Sequence, residues 1–389
     1  MSTAWPKVRL GEVLQHRKEF ITIDDLTTYK RPRVQLHAQG IVLRDEVPGA
    51  LIKTKTQQVC RTGELLVAEI DAKVGGFGLV PETLDGAIVS SHYFLFVIDE
   101  AKLERRFLDY FIRTPAFREQ VEAQGSTNYA AIRPTHVLGY EIPLPPLSEQ
   151  QRIVARIEEL AAQIQEARSL RRHAAEEVEN MLVAMAHRLD LSETDKLKAG
   201  WKRHRLQECI QLVEDVYRVE ADRSYPNFGI YSFARGLFMK PEIDGALTAA
   251  TTLRRVKRAQ FIYSRLFAFE GAYGMVTDEF DGHFVSGEYP TFDCDAGLIR
   301  AEFLVAYFKA PSVWKVVAAG SKGLGDRRQR VQPKQLLEHS IWVPPLGLQD
   351  QLAEVQAEVD TLKRLQAETA AQLDALLPAI LDKAFKGEL

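Results

Sequence analysis

The sequence predicts a mixed α/β (α+β) chain with pseudo-two-fold symmetry: two duplicated globular domains separated by two long antiparallel coiled-coil helices. Three observations predict it. Trp5, Arg9, Leu10 and Glu12 return 196 positions later as Trp201, Arg205, Leu206 and Glu208. Gly76-Phe77-Gly78-Leu79-Val80 becomes Ala272-Tyr273-Gly274-Met275-Val276 at the same offset, and after a slip of three residues Pro145-Pro146-Leu147 becomes Pro344-Pro345-Leu346. A period this long is a duplicated domain, since solenoid units run about 20 to 50 residues. Behind each double proline, apolar residues recur every seven positions, which is the coiled-coil signature.

The first domain is expected over residues 1–147 and the second over 201–346. Glu64–Ala68, Ala87–Val89 and Phe94–Ile98 are short apolar runs bounded by Gly, Pro and Asp, and read as strands. Leu103–Arg113 and its copy Ile299–Phe308 have helical spacing, and each domain closes on a strand-like run into its double proline, Tyr140–Pro146 and Ser340–Pro345.

The first long helix is expected over residues 148–190, with Ser148 as its cap and Glu149 complementing the dipole. Its column is Ile153, Leu160, Ala167, Ala174 and Met181. Residues 191–200 read as a polar linker. The second helix, 347–389, repeats the column as Leu352, Val359, Leu373 and Ile380, and Pro378 is expected to break or kink it near its end. About 35 helical residues span on the order of 50 Å. The first helix must carry the chain from one domain towards the other and the second must return, so an antiparallel rod is expected.

With 389 residues, 46% of them hydrophobic and 26% charged, the composition is that of a globular protein of two or three domains. Residues 1–10 lack a secretory apolar stretch and no run reaches the roughly 18 residues of a membrane span, so a cytoplasmic protein without membrane contact is expected. Cys60, Cys209 and Cys294 have neither disulfide nor zinc spacing and read as buried small hydrophobes. The net charge of −3 is unevenly spread: Lys309–Lys334 carries seven bases against the single acid Asp326, and Arg254, Arg255, Lys257 and Arg258 fall within five positions. Local basic patches of this kind set phosphate attraction.

Catalytic signatures are missing. There is no phosphate loop of the GxxxxGK[ST] type, no HExxH, no GxSxG, no zinc-deaminase pattern and no Asn-Pro-Pro-aromatic or Asp-Pro-Pro-aromatic tetrapeptide. Glu69, Asp71 and Lys73 resemble the acid-acid-lysine set of metal-dependent nucleases, but their copies Arg265, Phe267 and Phe269 keep none of the three. A standalone metal-dependent DNA nuclease and a coiled-coil scaffold that binds no DNA are the alternative readings. No metal site is expected.

Ile142-Pro143-Leu144-Pro145-Pro146-Leu147-Ser148-Glu149-Gln150-Gln151 followed by Ile153-Val154, with Lys383–Leu389 at the end, resembles the two conserved regions of the specificity subunit of type I restriction-modification systems. The second copy departs from the motif at Leu346–Gln351, where Gly347 and Leu348 replace the capping and acidic residues. The resemblance implies a non-catalytic adaptor with no cofactor of its own. Each domain would be a target recognition domain reading half of a bipartite asymmetric site in double-stranded DNA. The helices would be conserved spacers docking two modification (methyltransferase) subunits, with restriction subunits as further partners. S-adenosylmethionine, ATP and Mg would belong to those partner subunits, which would methylate adenine N6 and cleave DNA.

Under that reading, bases are read by side chains while phosphate contacts set register. The first candidates precede each terminal strand: Ser126, Thr127, Asn128, Tyr129 and Arg133, and in the copy Ser321, Lys322, Arg327, Arg328, Gln329 and Arg330. Both segments open with Gly-Ser, permitting close backbone approach, and supply residue types that pair bidentately with adenine or guanine. The second candidates are the turn residues Lys73, Arg265 and Tyr273, where glycine-rich turn geometry is the competing explanation. Trp5, Trp201, Tyr93 and Tyr289 read as core positions.

Overall fold

The computed structural model describes residues 5–122, 132–319 and 330–389. The chain divides into two compact units, Met1–Ser169 with Thr369–Leu389, and Leu170–Glu368. Each takes one end of both long helices.

In the first unit, the apolar run at Leu65–Ala68 is a fully buried strand inside a four-stranded antiparallel sheet, ordered Leu14–Arg17, Tyr93–Ile98, Leu65–Ala68, Phe77–Leu79. The helices Arg105–Phe111 and Pro115–Glu122 cover one face of it, so that Phe77, Phe96, Phe107 and Phe117 share a core. The second unit repeats the order with Ile210–Val213, Thr291–Cys294, Phe261–Tyr263 and Tyr273–Met275, covered by Ala301–Tyr307 and Pro311–Ala318. A two-stranded ladder closes each unit, Lys7–Arg9 with Glu141–Pro143 and Lys202–Arg205 with Ser340–Val343. The copies differ around a long hairpin. Thr28–Val34 and Ile41–Pro48 form a separate pair in the first unit, whereas Ser224–Ile230 and Leu237–Asp244 join a five-stranded sheet in the second.

A buried glutamine explains the motif behind each double proline. Gln150 is fully buried; its Oε1 accepts from the Glu104 N–H (2.8 Å), and its Nε2 donates to the carbonyls of Lys102 (2.8 Å) and Pro145 (2.9 Å). Gln349 does the same with the Arg300 N–H and the carbonyls of Leu298 and Pro344 (2.8, 3.0 and 2.9 Å). Pro146 and Pro345 have no N–H to offer at this junction, so the buried side-chain amide satisfies the Pro145 and Pro344 carbonyls and ties them to the loop before the covering helix. Gly347 and Leu348 therefore leave the junction intact, because the clasp survives in the second copy.

The long helices run Leu147–His187 and Leu346–Phe385. In the first unit Ile153, Val154 and Ile157, at the start of the first helix, share a core with Leu381 and Ala384, at the end of the second. The Arg168 guanidinium meets Asp374 at 2.7 Å. In the second unit Ala186, at the end of the first helix, shares a core with Leu352, at the start of the second, and Glu179 pairs with Lys363. The helices are therefore antiparallel, as expected.

Several local expectations are corrected. Ser148 lies inside the helix rather than capping it, because the Pro146 carbonyl already accepts the N–H groups of Glu149 and Gln150 (2.8 and 3.0 Å). The second helix continues through Pro378 to Phe385. An interior proline costs about 3 kcal/mol, which is offset by burial of Leu381 and by Phe385 packing on Phe107 and Phe111, at roughly 1.5–3 kcal/mol per large side chain. Met181 is 44% exposed while Leu182 and Ala186 are buried, and Ala174 is exposed. A seven-residue column drifts about 20° per heptad on a straight helix, so after four heptads the neighbouring position faces the core. Within the stretch read as a linker, Glu193–Lys198 forms a short helix capped by the Ser192 hydroxyl. No helix among the described residues is long and apolar enough to cross a membrane.

Candidate nucleic-acid interface

Three features of each unit meet around the residues that follow the candidate segments. The first is the strand terminus at Glu69. Its N–H donates to the His92 carbonyl (2.9 Å), and its carbonyl accepts from the Ile132 N–H (3.0 Å), which ties Ile132 to the sheet. The mostly buried Glu69 carboxylate accepts from Arg133 Nη1 at 3.2 Å and lies 2.7 Å from His92 Nδ1. In the second unit the backbone pattern is the same: the Arg265 N–H donates to Glu288 O (2.9 Å) and Val331 N–H to Arg265 O (3.0 Å). The charges are inverted. Arg265 Nη2 donates to Gln332 Oε1 at 2.7 Å and its Nη1 approaches Glu288 at 4.0 Å, while Arg330 reaches Glu288 at 3.3 Å. One scaffold position thus holds a carboxylate beside a guanidinium and an imidazole in one half and a guanidinium with a carboxylate neighbour in the other. Sequence reading picked out Arg133, Arg265 and Arg330 but missed Glu69, His92 and Glu288 as their partners. Comparing positions 92 and 288 could have revealed the inversion.

The second feature is the turn after that strand. Gly75 and Gly271 both have φ near +81°, and a Cβ would lie 2.7 Å from the Ala38 N at Gly75 and 2.4 Å from Trp314 at Gly271. Glycine is required there for close approach. Lys73 sits on this turn, half-buried. Tyr273 is corrected: it is buried in the aromatic core, its ring stacked on Phe308 at 4.3 Å, and burial pushes its phenol pKa far up, so it offers no surface to a nucleic acid. Trp201 is buried as expected.

The third feature, absent from the sequence reading, is the tip of the long hairpin, which docks on that turn. His37 and Ala38 donate their N–H groups to the carbonyls of Val74 (2.7 Å) and Gly75 (2.9 Å), and Phe233 and Ala234 do so to Glu270 (2.7 Å) and Gly271 (2.9 Å). All four donors have left-handed backbones, φ between +51° and +63°. That conformation costs a non-glycine residue about 1–2 kcal/mol, and these docking bonds hold it. Hairpin and strand terminus are continuous: Lys240 Nζ donates to Tyr289 Oη at 3.3 Å, one residue from Glu288. In the first unit Tyr93 occupies the same place; burial pushes its phenol up, Asp71 adds to the shift and Arg44 opposes it.

Ser126, Thr127, Asn128, Tyr129, Ser321, Lys322, Arg327, Arg328 and Gln329 lie outside the described residues. Arg254, Arg255 and Arg258 are ion-paired with Glu214, Asp215 and Asp278 at 3.4, 3.3 and 3.0 Å, which neutralises most of that basic run. Among the described residues no group of His, Cys, Asp or Glu is placed to hold a metal ion. Glu69 of the nuclease-like set is engaged by His92 and Arg133 instead.

Comparison with known proteins bears on the fold. Residues 3–171 match the family model described as type I restriction modification DNA specificity domain. The HsdS subunit of Thermoanaerobacter tengcongensis is similar over 100% of this chain and 98% of its own, with 24% identity and a TM-score of 0.59. A chain from a structure concerning complex assembly and conformational transition of the type I R-M system is similar over 100% of this chain and 99% of its own, with 24% identity and a TM-score of 0.67. These likenesses establish the shared fold. No curated protein matches the sequence.

Proposed function

We propose that this chain, with a type I restriction modification DNA specificity domain in its first half and an internal copy of it in its second, is the sequence-reading subunit of a restriction-modification complex. It reads a bipartite, asymmetric site in double-stranded DNA, one half-site per unit, and leaves the chemistry to its partners. One observation carries the reading: the same backbone junction, at Glu69 and at Arg265, is built twice with inverted charge. A duplicated scaffold kept for stability alone has no need of opposite charges at its polar edge, whereas two readers of different bases do.

The antiparallel helix pair is the docking element for two modification subunits. In the second unit Leu170, Leu362 and Leu365 are large apolar side chains left exposed on the two helices, the composition of a surface that a partner covers. S-adenosylmethionine would be bound by the modification subunits, and ATP and Mg by restriction subunits where these join. The test is co-expression with the modification subunit and single-molecule sequencing of host DNA for N6-methyladenine. A single bipartite, asymmetric methylated motif is expected, and exchange of residues 1–147 for another such domain should change one half of it only. Absence of any methylated motif from an assembled complex would sink the reading.

A further inference from the structure

The hairpin tips are the part of the molecule that neither the sequence motifs nor the family likeness assigns. In the second unit the tip is an exposed aromatic–cation cluster. Tyr231 stacks on Phe238 with ring centroids 4.2 Å apart, and Phe233 is 62% exposed on its left-handed backbone. The Arg235 guanidinium lies 4.9 Å from the Tyr231 ring centre and 6.0 Å from that of Phe233, its Nε anchored on the Ser232 carbonyl at 3.0 Å. Lys240 lies over the rings of Phe238 and Tyr289 at 5.6 and 5.5 Å. Among the described residues neither Arg235 nor Lys240 has a carboxylate partner, in contrast to the paired Arg254, Arg255 and Arg258.

At the same backbone positions the first unit carries a different chemistry. Gln35, His37 and Gln39 stand where the second has Tyr231, Phe233 and Arg235, and Arg44 stands where it has Lys240. The Arg44 charge is partly met by Asp45, 3.2 Å away. The scaffold is constant, since both tips are pinned to their glycine turn by the same two backbone bonds, while the side chains change from hydrogen-bonding to aromatic and cationic.

We infer that the hairpin tip is a second DNA-contacting element in each unit, and that the two tips work in different ways. In the second unit the Phe233 ring makes an apolar contact with the duplex, against a base edge or a partly opened base step, while Arg235 and Lys240 take the flanking phosphates. In the first unit His37, between Gln35 and Gln39, makes hydrogen-bonded contacts. Duplex DNA is the occupant because unneutralised cations beside exposed aromatic rings suit a phosphate backbone with an apolar groove edge. The cluster is also continuous, through Tyr289 and Glu288, with the polar junction already described. Pinning matters: a ring held in place loses little freedom on binding, so the strained backbone preorganises the contact.

The inference rests on the proposed DNA-reading function, and the experiment separates the two. The complex with modification subunits is titrated onto a fluorescent duplex bearing its methylated motif, at several salt concentrations, for the wild type, Phe233→Ala, Phe233→His, Arg235→Gln and a control, Leu247→Ser, in the exposed loop beyond the other end of the hairpin. If the wild type binds specifically, Phe233→Ala should weaken binding about tenfold or more, and Arg235→Gln should reduce the slope of log K against log salt by about 1. Leu247→Ser should change neither. Phe233→His installs the residue that the first unit carries on this same backbone, so it decides the matter if the alanine variant loses its fold. Wild-type affinity and slope in folded Phe233 and Arg235 variants would overturn the inference and leave the DNA-reading function standing; a wild-type complex without specific binding would overturn both.

Discussion

Replacing Gln150 by alanine removes three hydrogen bonds at one buried point. The Glu104 N–H and the carbonyls of Lys102 and Pro145, at 2.8–2.9 Å from the side-chain amide, lose their partner where no solvent replaces it. At a net value of about 1 kcal/mol per bond the loss is about 3 kcal/mol, and the penalty for stranded backbone groups sets this as the lower end. For a unit of this size each kcal/mol moves the melting temperature by about 2–4 °C, so Q150A should melt roughly 6–12 °C lower in the first unit. Scanning calorimetry of the full chain measures it, and hydrogen exchange localises it: the Glu104 amide should lose protection ahead of the sheet. Q349A should do the same to the second unit through the Arg300 amide, because the geometry is duplicated. A shift below about 2 °C with an unchanged Glu104 exchange rate would refute the clasp as the element holding each helix to its domain.

Three further outcomes follow from the packing. Leu182→Ala should cost about 2–5 kcal/mol and Met181→Ala less than about 1 kcal/mol, because only Leu182 is buried; equal costs on denaturant unfolding would restore the strict heptad. Replacing Glu69 by arginine alone sets its guanidinium beside that of Arg133, whereas the double change Glu69→Arg with His92→Glu supplies the arginine–glutamate pair of the second unit. The double variant should melt above the single one, and a double-mutant cycle showing no coupling would refute the equivalence of the junctions. The second unit should also weaken in acid. The His187 ring stacks on Tyr307 at 4.4 Å and His339 Nε2 meets the Tyr307 hydroxyl at 3.1 Å. Burial holds both imidazoles below their ordinary pKa of 6.5, with Lys196 adding to the effect at His187 and a bond to the Tyr307 carbonyl opposing it. The unfolded chain takes up these protons first, so stability is full above pH 6.5 and falls as pH drops from there through the lowered folded values. Urea unfolding at pH 7.5 and 5 reads the difference, which His187→Gln should reduce; an unchanged slope would refute the assignment.

What the sequence determined by itself is whatever repeats at a fixed offset or a fixed period. The duplication, the sheet strands around Leu66 and Phe96, the covering helices and the two long antiparallel helices all follow from local apolar spacing and chain order. Local spacing also located Arg133, Arg265 and Arg330, because a basic residue beside a turn is visible in one dimension. Tertiary structure decided the rest. Glu69 meets residues 23 and 64 positions away, Gln150 reaches back 46 to 48 positions, and the hairpin tip at Phe233 docks on a turn at Gly271. Such partners are set by where the backbone brings N–H and C=O groups that must be satisfied, and no periodicity records that. The burial of Tyr273, the continuation of the helix through Pro378 and the choice of Leu182 over Met181 have one cause: a packed core outweighs the small local preferences on which the sequence reading relied.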